Sequence, residues 1–302
     1  MCADINVAIL GKPSERESYY LKHLLKMPNI SLKYISSLLE AKSFPALILL
    51  EKPPTDLLIR LLEDNDIKVL IETPFAEFFE KEIELLNEIK RLNAEVFIPL
   101  VSRHHPILVR FRALLNRKML GDVFSIYMTL NFDVNHLRQE PPLETSSITL
   151  SSRVLHQLIN IIDYLLWLNK GDISQINIWV NSRSKEKEVL VVDAKLHNTL
   201  LTLVSYVDEV SPSFCKDYIN IEAVGFERIL VWNGFEQSLI LKGKSDFASD
   251  HIYWGLDLGE VIARHFINII KSKPQYDLKE VFISYEKTLK YLKSGKLRKR
   301  IG

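Results

Sequence analysis

The stretch that decides the fold is DIKVLIETPFAEFFEKEIELLNEIKRLNAEVFIPLV, residues 66–101. Its first apolar run, KVLIE (68–72), is short and continuous, as in a strand buried on both faces. FFEKEIELLNEIKRLN (78–93) then spaces its apolar residues by threes and fours, which predicts an amphipathic helix. EVFIPLV (95–101) follows as a second apolar strand. Strand, helix and strand with continuous apolar strands predict a parallel sheet covered on both faces.

The same rhythm runs upstream. INVAIL (5–10) reads as a strand ending at Gly11. SERESYYLKHLL (14–25) reads as a helix that starts at a capping box, Ser14 with Glu17. SLKYIS (31–36) and ALILL (46–50) are further strands. PTDLLIRLLEDN (54–65) is a helix with Thr55 or Asp56 near its N-cap. Residues 1–120 therefore read as a Rossmann-like, nucleotide-binding type of domain.

Downstream the rhythm changes. A helix over 105–119 leads through Gly121 to a long strand, 123–134. A polar loop with prolines (135–150) and the helix SSRVLHQLINIIDYLLWL (151–168) follow. Six strand-like runs joined by short turns then predict a mainly antiparallel sheet. Helices over roughly 255–271 and 277–293 come last. Residues 121–302 form the second, α+β domain, for substrate and oligomerisation. The fold class is α/β: a Rossmann-like parallel-sheet domain plus a domain with a large, mainly antiparallel sheet.

Composition sets bounds. The chain has 302 residues, 47% hydrophobic and 25% charged, with a net charge of +1. No global field favours nucleic acid or a membrane. The basic run KSGKLRKR (293–300) lacks interleaved aromatics and reads as a solvated helix terminus. Cys2 and Cys215 fit neither a disulfide framework nor a metal cluster. With no leader and no apolar run long enough for a bilayer, a cytoplasmic protein is expected.

The order of elements resembles the glucose–fructose oxidoreductase/inositol dehydrogenase/MocA-like family (Gfo/Idh/MocA), over nearly the whole chain. Arg103, Pro106 and Gly121 match its pattern of an Arg three residues before a Pro, a helix, and a Gly before the next strand. Residues 151–168 resemble the helix in which that family carries Asp-x-Gly-x-His-x-x-Asp. EKTLKYLKSGKLRKRI resembles its C-terminal helix and tail. The resemblance implies an NAD(P)-dependent oxidoreductase of sugars, cyclitols and related compounds. It implies a cofactor on the first domain and oligomerisation through the second domain's sheet.

The residues depart from that pattern at several points. A dinucleotide loop uses Gly-x-Gly-x-x-Gly, so that bare backbone meets the pyrophosphate. Here GKPSER keeps Gly11, but Pro13 and Arg16 take the second and third glycine positions. Either Lys12 and Arg16 hold phosphate in a modified loop, or this is an ordinary strand–helix turn; the second reading is preferred. No carboxylate stands at the tip of the second strand, and Glu40 is a poor substitute for the ribose-binding acid.

By the resemblance, the catalytic turn Glu-Lys-Pro falls on Glu72-Thr73-Pro74, so Thr73 occupies the lysine position. Thr supplies no cation and no tunable base near neutral pH. A literal Glu51-Lys52-Pro53 lies one strand earlier. It reads as a surface turn, with the alternative that Lys52 reaches the site from a neighbouring strand. The resemblance puts the catalytic His on Asn160 and an earlier Asp on His156. His156, Asn160 and Asp163 fall on one helix face. Either His156 is a relocated acid/base or it is a hydrogen-bonded structural histidine. Arg103 and Asp163 match family positions beside substrate. His136 and Arg138 are weaker candidates, and adjacent His104 and His105 make a poor metal pair.

The expectation is a divergent homologue with a degraded dinucleotide loop and replaced catalytic Lys and His. It is non-catalytic or ligand-binding, with NAD or NADP binding weakened or lost. Two alternatives stand. One is an active NAD(P)-dependent oxidoreductase with relocated residues, since biliverdin reductase-like relatives also depart at the lysine. The other is a structural subunit beside a catalytic paralogue. The expected partners are a small-molecule ligand and a second copy through the C-terminal sheet.

Overall fold

The structure is a computed structural model. It describes residues 5–11, 20–63, 67–71, 79–131, 143–144, 149–150, 152–168, 173–184, 187–208, 218–234, 236–244, 246–251, 258–271, 278–293 and 297–301.

The first third alternates strands and helices: β1 (Ile5–Leu10), α1 (Leu21–Leu24), β2 (Ile30–Ile35), α2 (Leu38–Ala41), β3 (Ala46–Leu49), α3 (Thr55–Glu63), β4 (Lys68–Ile71), α4 (Phe79–Leu92) and β5 (Val96–Phe97). α5 (Val101–His104), α6 (Pro106–Asn116), β6 (Val123–Asn131), β7 (Leu143–Glu144), β8 (Thr149–Leu150) and α7 (Ser152–Leu168) follow. Then come β9 (Gln175–Ser184), β10 (Lys187–Leu196), β11 (Thr199–Asp208), β12 (Tyr218–Gly225), β13 (Arg228–Asn233), β14 (Ser238–Gly243) and β15 (Phe247–His251). α8 (Leu258–Ile270), α9 (Leu278–Lys293) and β16 (Leu297–Ile301) complete the described elements.

The chain divides into two compact units. One comprises Met1–Leu100, Pro141–Thr149 and Leu256–Glu286; the other comprises Val101–Glu140, Leu150–Gly255 and Lys287–Gly302. This grouping differs from a single cut between 120 and 121: α6 clusters with the large sheet and α8 with the small one.

The first unit is built on a five-stranded parallel sheet in the order β2-β1-β3-β4-β5. Val7, Ala8, Ile9, Ala46, Leu47, Ile48, Val69 and Leu70 are fully buried, as continuous apolar strands require when both faces are covered. α8 packs against α1 and β4, and Phe266 stacks 6.2 Å from Phe97. α3 packs against α4. Asn93 ends α4 with φ 51°, a left-handed stop that Asn tolerates.

The second unit carries a nine-stranded sheet, β15-β14-β13-β12-β6-β11-β10-β9-β16. It is antiparallel apart from β6 with β11 and β9 with β16. Alternation sorts its faces. Ile126, Met128, Leu130, Leu201, Leu203, Ile221 and Leu230 are buried on one side, where α7 packs against β10 and β11. The opposite side is exposed.

Several boundaries differ from the sequence reading. The helix expected over 14–25 is one turn among the described residues, α1, because 12–19 lie outside them. The strand expected over 95–101 shortens to β5, and Val101 begins a helical turn. The helix over 105–119 starts at Pro106, which has no N–H to lose at a first helical position. The basic run 293–300 is not a solvated helix terminus: α9 stops at Lys293 and Leu297–Ile301 pairs with β9. A partner strand from elsewhere in the chain overrides a composition that reads as solvated.

Candidate functional site

In the first unit the chain steps from β1 to β2 on one side, then crosses to β3 on the other. Ligands of doubly wound sheets bind beyond the carboxyl ends of the strands at such a reversal. Gly11 ends β1 there with φ +128°. A Cβ on it would lie 2.9 Å from Leu50 Cβ and 3.3 Å from the Glu51 nitrogen. Leu50 N donates to Leu10 O at 2.9 Å. The two turns are therefore pressed together, and glycine is required by the approach. Glu51-Lys52-Pro53 stands beside Gly11, one strand over, in the turn ahead of α3. Lys12, Arg16, Glu72, Thr73 and Pro74 lie outside the described residues, as do His136 and Arg138.

The tip of β2 corrects one reading of the sequence. Leu10 pairs with Ile35, so Ser36 follows β2 at the same edge where Gly11 follows β1. The one-turn α2 folds the Glu40 carboxylate back onto this tip. Glu40 Oε1 accepts from Ser36 Oγ at 2.6 Å, Ser36 N at 3.2 Å and Ser37 Oγ at 3.3 Å. The hydrogen bonds from Ser36 hold the carboxyl below its usual range. A carboxylate does stand at the end of the second strand. The signal for it was Ser37-x-x-Glu40, the spacing of a capping box.

In the second unit, α5 and α7 bring the other candidates together. Arg103 donates through Nε to Asp163 Oδ2 at 2.9 Å and through Nη2 to Asp163 Oδ1 at 2.8 Å. Both side chains are buried, at 5% and 0% exposure. The charges expected to meet substrate are thus directed at each other. His156 and Asn160 are buried on the same helix, and Asn160 Nδ2 donates to the His156 carbonyl at 3.0 Å. An amide held on its own helix has no proton to transfer. Trp167 extends the cluster, with the Arg112 guanidinium 4.0 Å and that of Arg103 5.8 Å from its ring centre. Arg112 Nε also donates to the Trp167 carbonyl at 3.0 Å. Tyr164 OH donates to Leu108 O at 3.1 Å, and burial raises its phenol well above the ordinary value.

Ser102 Oγ, Gln157 Oε1 and Asn160 Oδ1 are sealed from solvent with no hydrogen-bond partner among the described residues. His105 Nδ1 is likewise sealed, and burial pushes its imidazole down to about 4, so it is neutral at physiological pH. Nothing in the spacing of the sequence marked His105 apart from His104. Among the described residues no group of three or more His, Cys, Asp or Glu is arranged to hold a metal.

No protein-family model matches the sequence, and no curated protein matches it. Solved structures do match in three dimensions. The dehydrogenase MviM from Clostridium difficile is 16% identical, over 96% of this chain and 99% of that one, with a TM-score of 0.67. A super-repressor mutant of Gal80p from Saccharomyces cerevisiae is 14% identical over 97% and 95%, with a TM-score of 0.72. Biliverdin reductase from Synechocystis sp. PCC 6803, in complex with biliverdin and NADP+, is 10% identical over 98% and 99%, with a TM-score of 0.70. At these identities the likeness establishes the architecture, and the chain has the two-domain fold of the Gfo/Idh/MocA-type dehydrogenases.

Proposed function

We propose that this chain is a ligand-binding, non-catalytic protein on a dehydrogenase fold. The observation that carries this reading is the state of the α7 face. Asn160 stands where the resemblance puts a proton-transferring His, and its amide is held on the His156 carbonyl. Asp163 is clamped by Arg103. Proton transfer during hydride chemistry needs a group free to give or take a proton; an amide is not such a group, and both Asp163 oxygens are engaged by Arg103. Thr73 at the lysine position points the same way. A fold of this kind hosts more than one function, and one neighbour is a form of the repressor Gal80p.

The ligand is a nucleotide or a sugar-like compound at the carboxyl edge of the parallel sheet. The residues fit the nucleoside end of a dinucleotide: Gly11 closes β1 without a side chain, and the β2 tip presents acceptor oxygens to sugar hydroxyls. Glu72 and Pro74 follow β4 in sequence and are candidate cofactor contacts by the resemblance, and Lys12 and Arg16 are the cations nearest in sequence to a phosphate. Pro13 and Arg16 replace glycines, so NAD or NADP binding is weaker than in an intact loop.

Thermal-shift titration with NAD+, NADH, NADP+ and NADPH, beside a hydride-transfer assay with sugars and biliverdin, tests the reading. The expected outcome is a shift with at least one nucleotide and no turnover. Saturation at about 100 times Kd adds roughly 2.7 kcal/mol. Measurable turnover overturns it in favour of the second reading, an active oxidoreductase with relocated residues. That reading is favoured by the position of Lys52 beside Gly11 at the sheet reversal, and it takes Lys52 as its acid/base group.

The partner is a second copy of the chain. On the uncovered side of the nine-stranded sheet, Leu200 and Phe247 are 63% and 65% exposed. Tyr127, Tyr206 and Ile229 share that side by register. Isologous pairing of this face covers them. The same face would serve a catalytic paralogue in a structural-subunit role. Among the described residues no helix is long and apolar enough to cross a membrane. Residence in a reducing cytoplasm completes the proposal.

A further inference from the structure

We propose that Asn233-Gly234 is a site of spontaneous covalent modification, in which the Asn233 carboxamide closes on the backbone and hydrolyses to aspartate and isoaspartate, and that Asn220 is the side chain that restrains it in the folded protein.

Three observations carry it. The first is the dipeptide. The stretch WNG (232–234) holds the one Asn-Gly pair in the sequence. Glycine has no side chain to shield its nitrogen from the carboxamide before it, and its backbone is the most permissive. The second is the packing that fixes glycine there. Asn233 ends β13 opposite Ser238 of β14, and Gly234 opens the turn between the two strands. A Cβ on Gly234 would run into the Ile219 carbonyl oxygen of β12 and lie 3.2 Å from the carbonyl carbon. A larger residue does not fit, so the vulnerable pair is built into the turn. The third is the hold on the reacting atoms. Gly234 N donates to Asn220 Oδ1 at 2.8 Å. Asn220 Nδ2 donates to the Tyr218 hydroxyl, which orients that amide. Asn233 Oδ1 accepts from Glu236 N at 3.4 Å.

The chemistry shows what this hold does. Gly234 N must lose its proton and attack Asn233 Cγ. A new C–N bond forms, the Cγ–Nδ2 bond breaks, and ammonia leaves with the proton. Water then opens the cyclic imide at either carbonyl, and the two openings leave aspartate or isoaspartate. The hydrogen bond to Asn220 favours the protonated nitrogen, because a nitrogen anion would face the Asn220 oxygen. The carboxamide must also leave Glu236 N before it can face Gly234. Either product places a new negative charge at the end of β13. Isoaspartate also routes the main chain through one more carbon, which disturbs the alternation that β13 and β14 share.

Ageing the full chain in mildly alkaline buffer, followed by mass spectrometry of the peptide spanning the turn, tests this. Each event adds one mass unit, and an isoaspartyl methyltransferase with a labelled methyl donor counts the isoaspartate. The peptide carrying Asn181-Ser182, in β9, is the internal reference. The expected result is slow conversion of Asn233 in the folded wild type and fast conversion in urea. Asn220→Ala speeds the folded reaction about tenfold, the factor set by a hydrogen bond at the upper end of its net contribution, and leaves the reference peptide unchanged. Asn220→Asp keeps an acceptor for Gly234 N and stays close to the wild-type rate. Absence of product from the urea-unfolded chain overturns the site. A folded wild type that converts as fast as the unfolded chain overturns the restraint. So does an Asn220→Ala protein in which Asn233 is no faster, or in which Asn181 accelerates equally, because general loosening then accounts for the gain.

Discussion

Arg103 and Asp163 hold each other through two parallel hydrogen bonds, and neither side chain is more than 5% exposed. One comes from the single turn α5 and the other from the middle of α7. The fork and the carboxylate match in geometry, so each satisfies the other. The pair anchors a short turn, with little internal stability of its own, to a long buried helix.

Removing one member strands a buried charge, which costs about 3–5 kcal/mol. Asp163→Leu alone is expected to lower stability by that amount in urea unfolding. Arg103→Met with Asp163→Leu recovers most of it, because two apolar side chains need no partner. A double variant as unstable as the sum of its single changes would show the pair to be uncoupled.

His105 makes stability depend on pH. Its folded value near 4 lies below the unfolded value of about 6.5, so the unfolded chain binds a proton that the folded chain refuses. Stability contributed by the neutral ring is full above 6.5 and is lost as pH falls towards 4. The loss amounts to roughly 3 kcal/mol, from 1.36 kcal/mol per unit. His105→Gln should flatten this part of the profile. The difference between wild-type and variant unfolding free energies at pH 7 and pH 4 reads it directly; parallel profiles would contradict the assignment.

Gly11→Ala places a methyl group against Leu50 at a positive φ. Strain of this kind costs about 1–3 kcal/mol. The expected outcome is a lower urea midpoint, together with weaker nucleotide binding as the β1 and β3 turns separate. Gly121→Ala meets only the flexible Glu227 side chain, in the other unit, and serves as the control for the second effect. Equal nucleotide affinity in both variants would detach Gly11 from the site.

Leu200→Lys with Tyr127→Glu puts charge on the open sheet face without touching the buried side. Sedimentation of the wild type should report a dimer and that of the variant a monomer with an unchanged melting temperature. A wild type that sediments as a monomer ends the proposed self-association.

The sheets were legible in the sequence because strand burial leaves continuous or alternating apolar runs that need no partner to be read. Val69-Leu70-Ile71 and Ile126-x-Met128-x-Leu130 are such runs. The helices of α4 and α7 announced themselves in the same way, and Gly11 stood out as the end of β1. What remained hidden depends on partners distant in the chain. Nothing near Arg103 shows that Asp163 completes it, so both looked available to a substrate. Leu297–Ile301 reads as a basic tail until β9 gives it a ladder to join. The Glu40 carboxylate looked too far along the sequence from the strand tip, because one helical turn shortens that path only after it forms. Lys52 read as a surface turn or as a group reaching the site from a neighbouring strand, and the strand order puts its turn beside Gly11.

The packing of Phe97 on Phe266 also has a meaning in time. During synthesis at about 5–20 residues per second, the parallel sheet is complete through β5 many seconds before α8 exists to cover it. β6 likewise emerges well before β11 and β12, its neighbours on either side. The first unit keeps its apolar strands uncovered on the ribosome until α8 arrives, whereas α7 is already made when most strands of the large sheet follow. The nascent chain is therefore a natural client for chaperones that hold unfolded polypeptide. A fragment ending near residue 120 should be recovered as aggregate, because the helix that closes its sheet is encoded more than a hundred residues downstream.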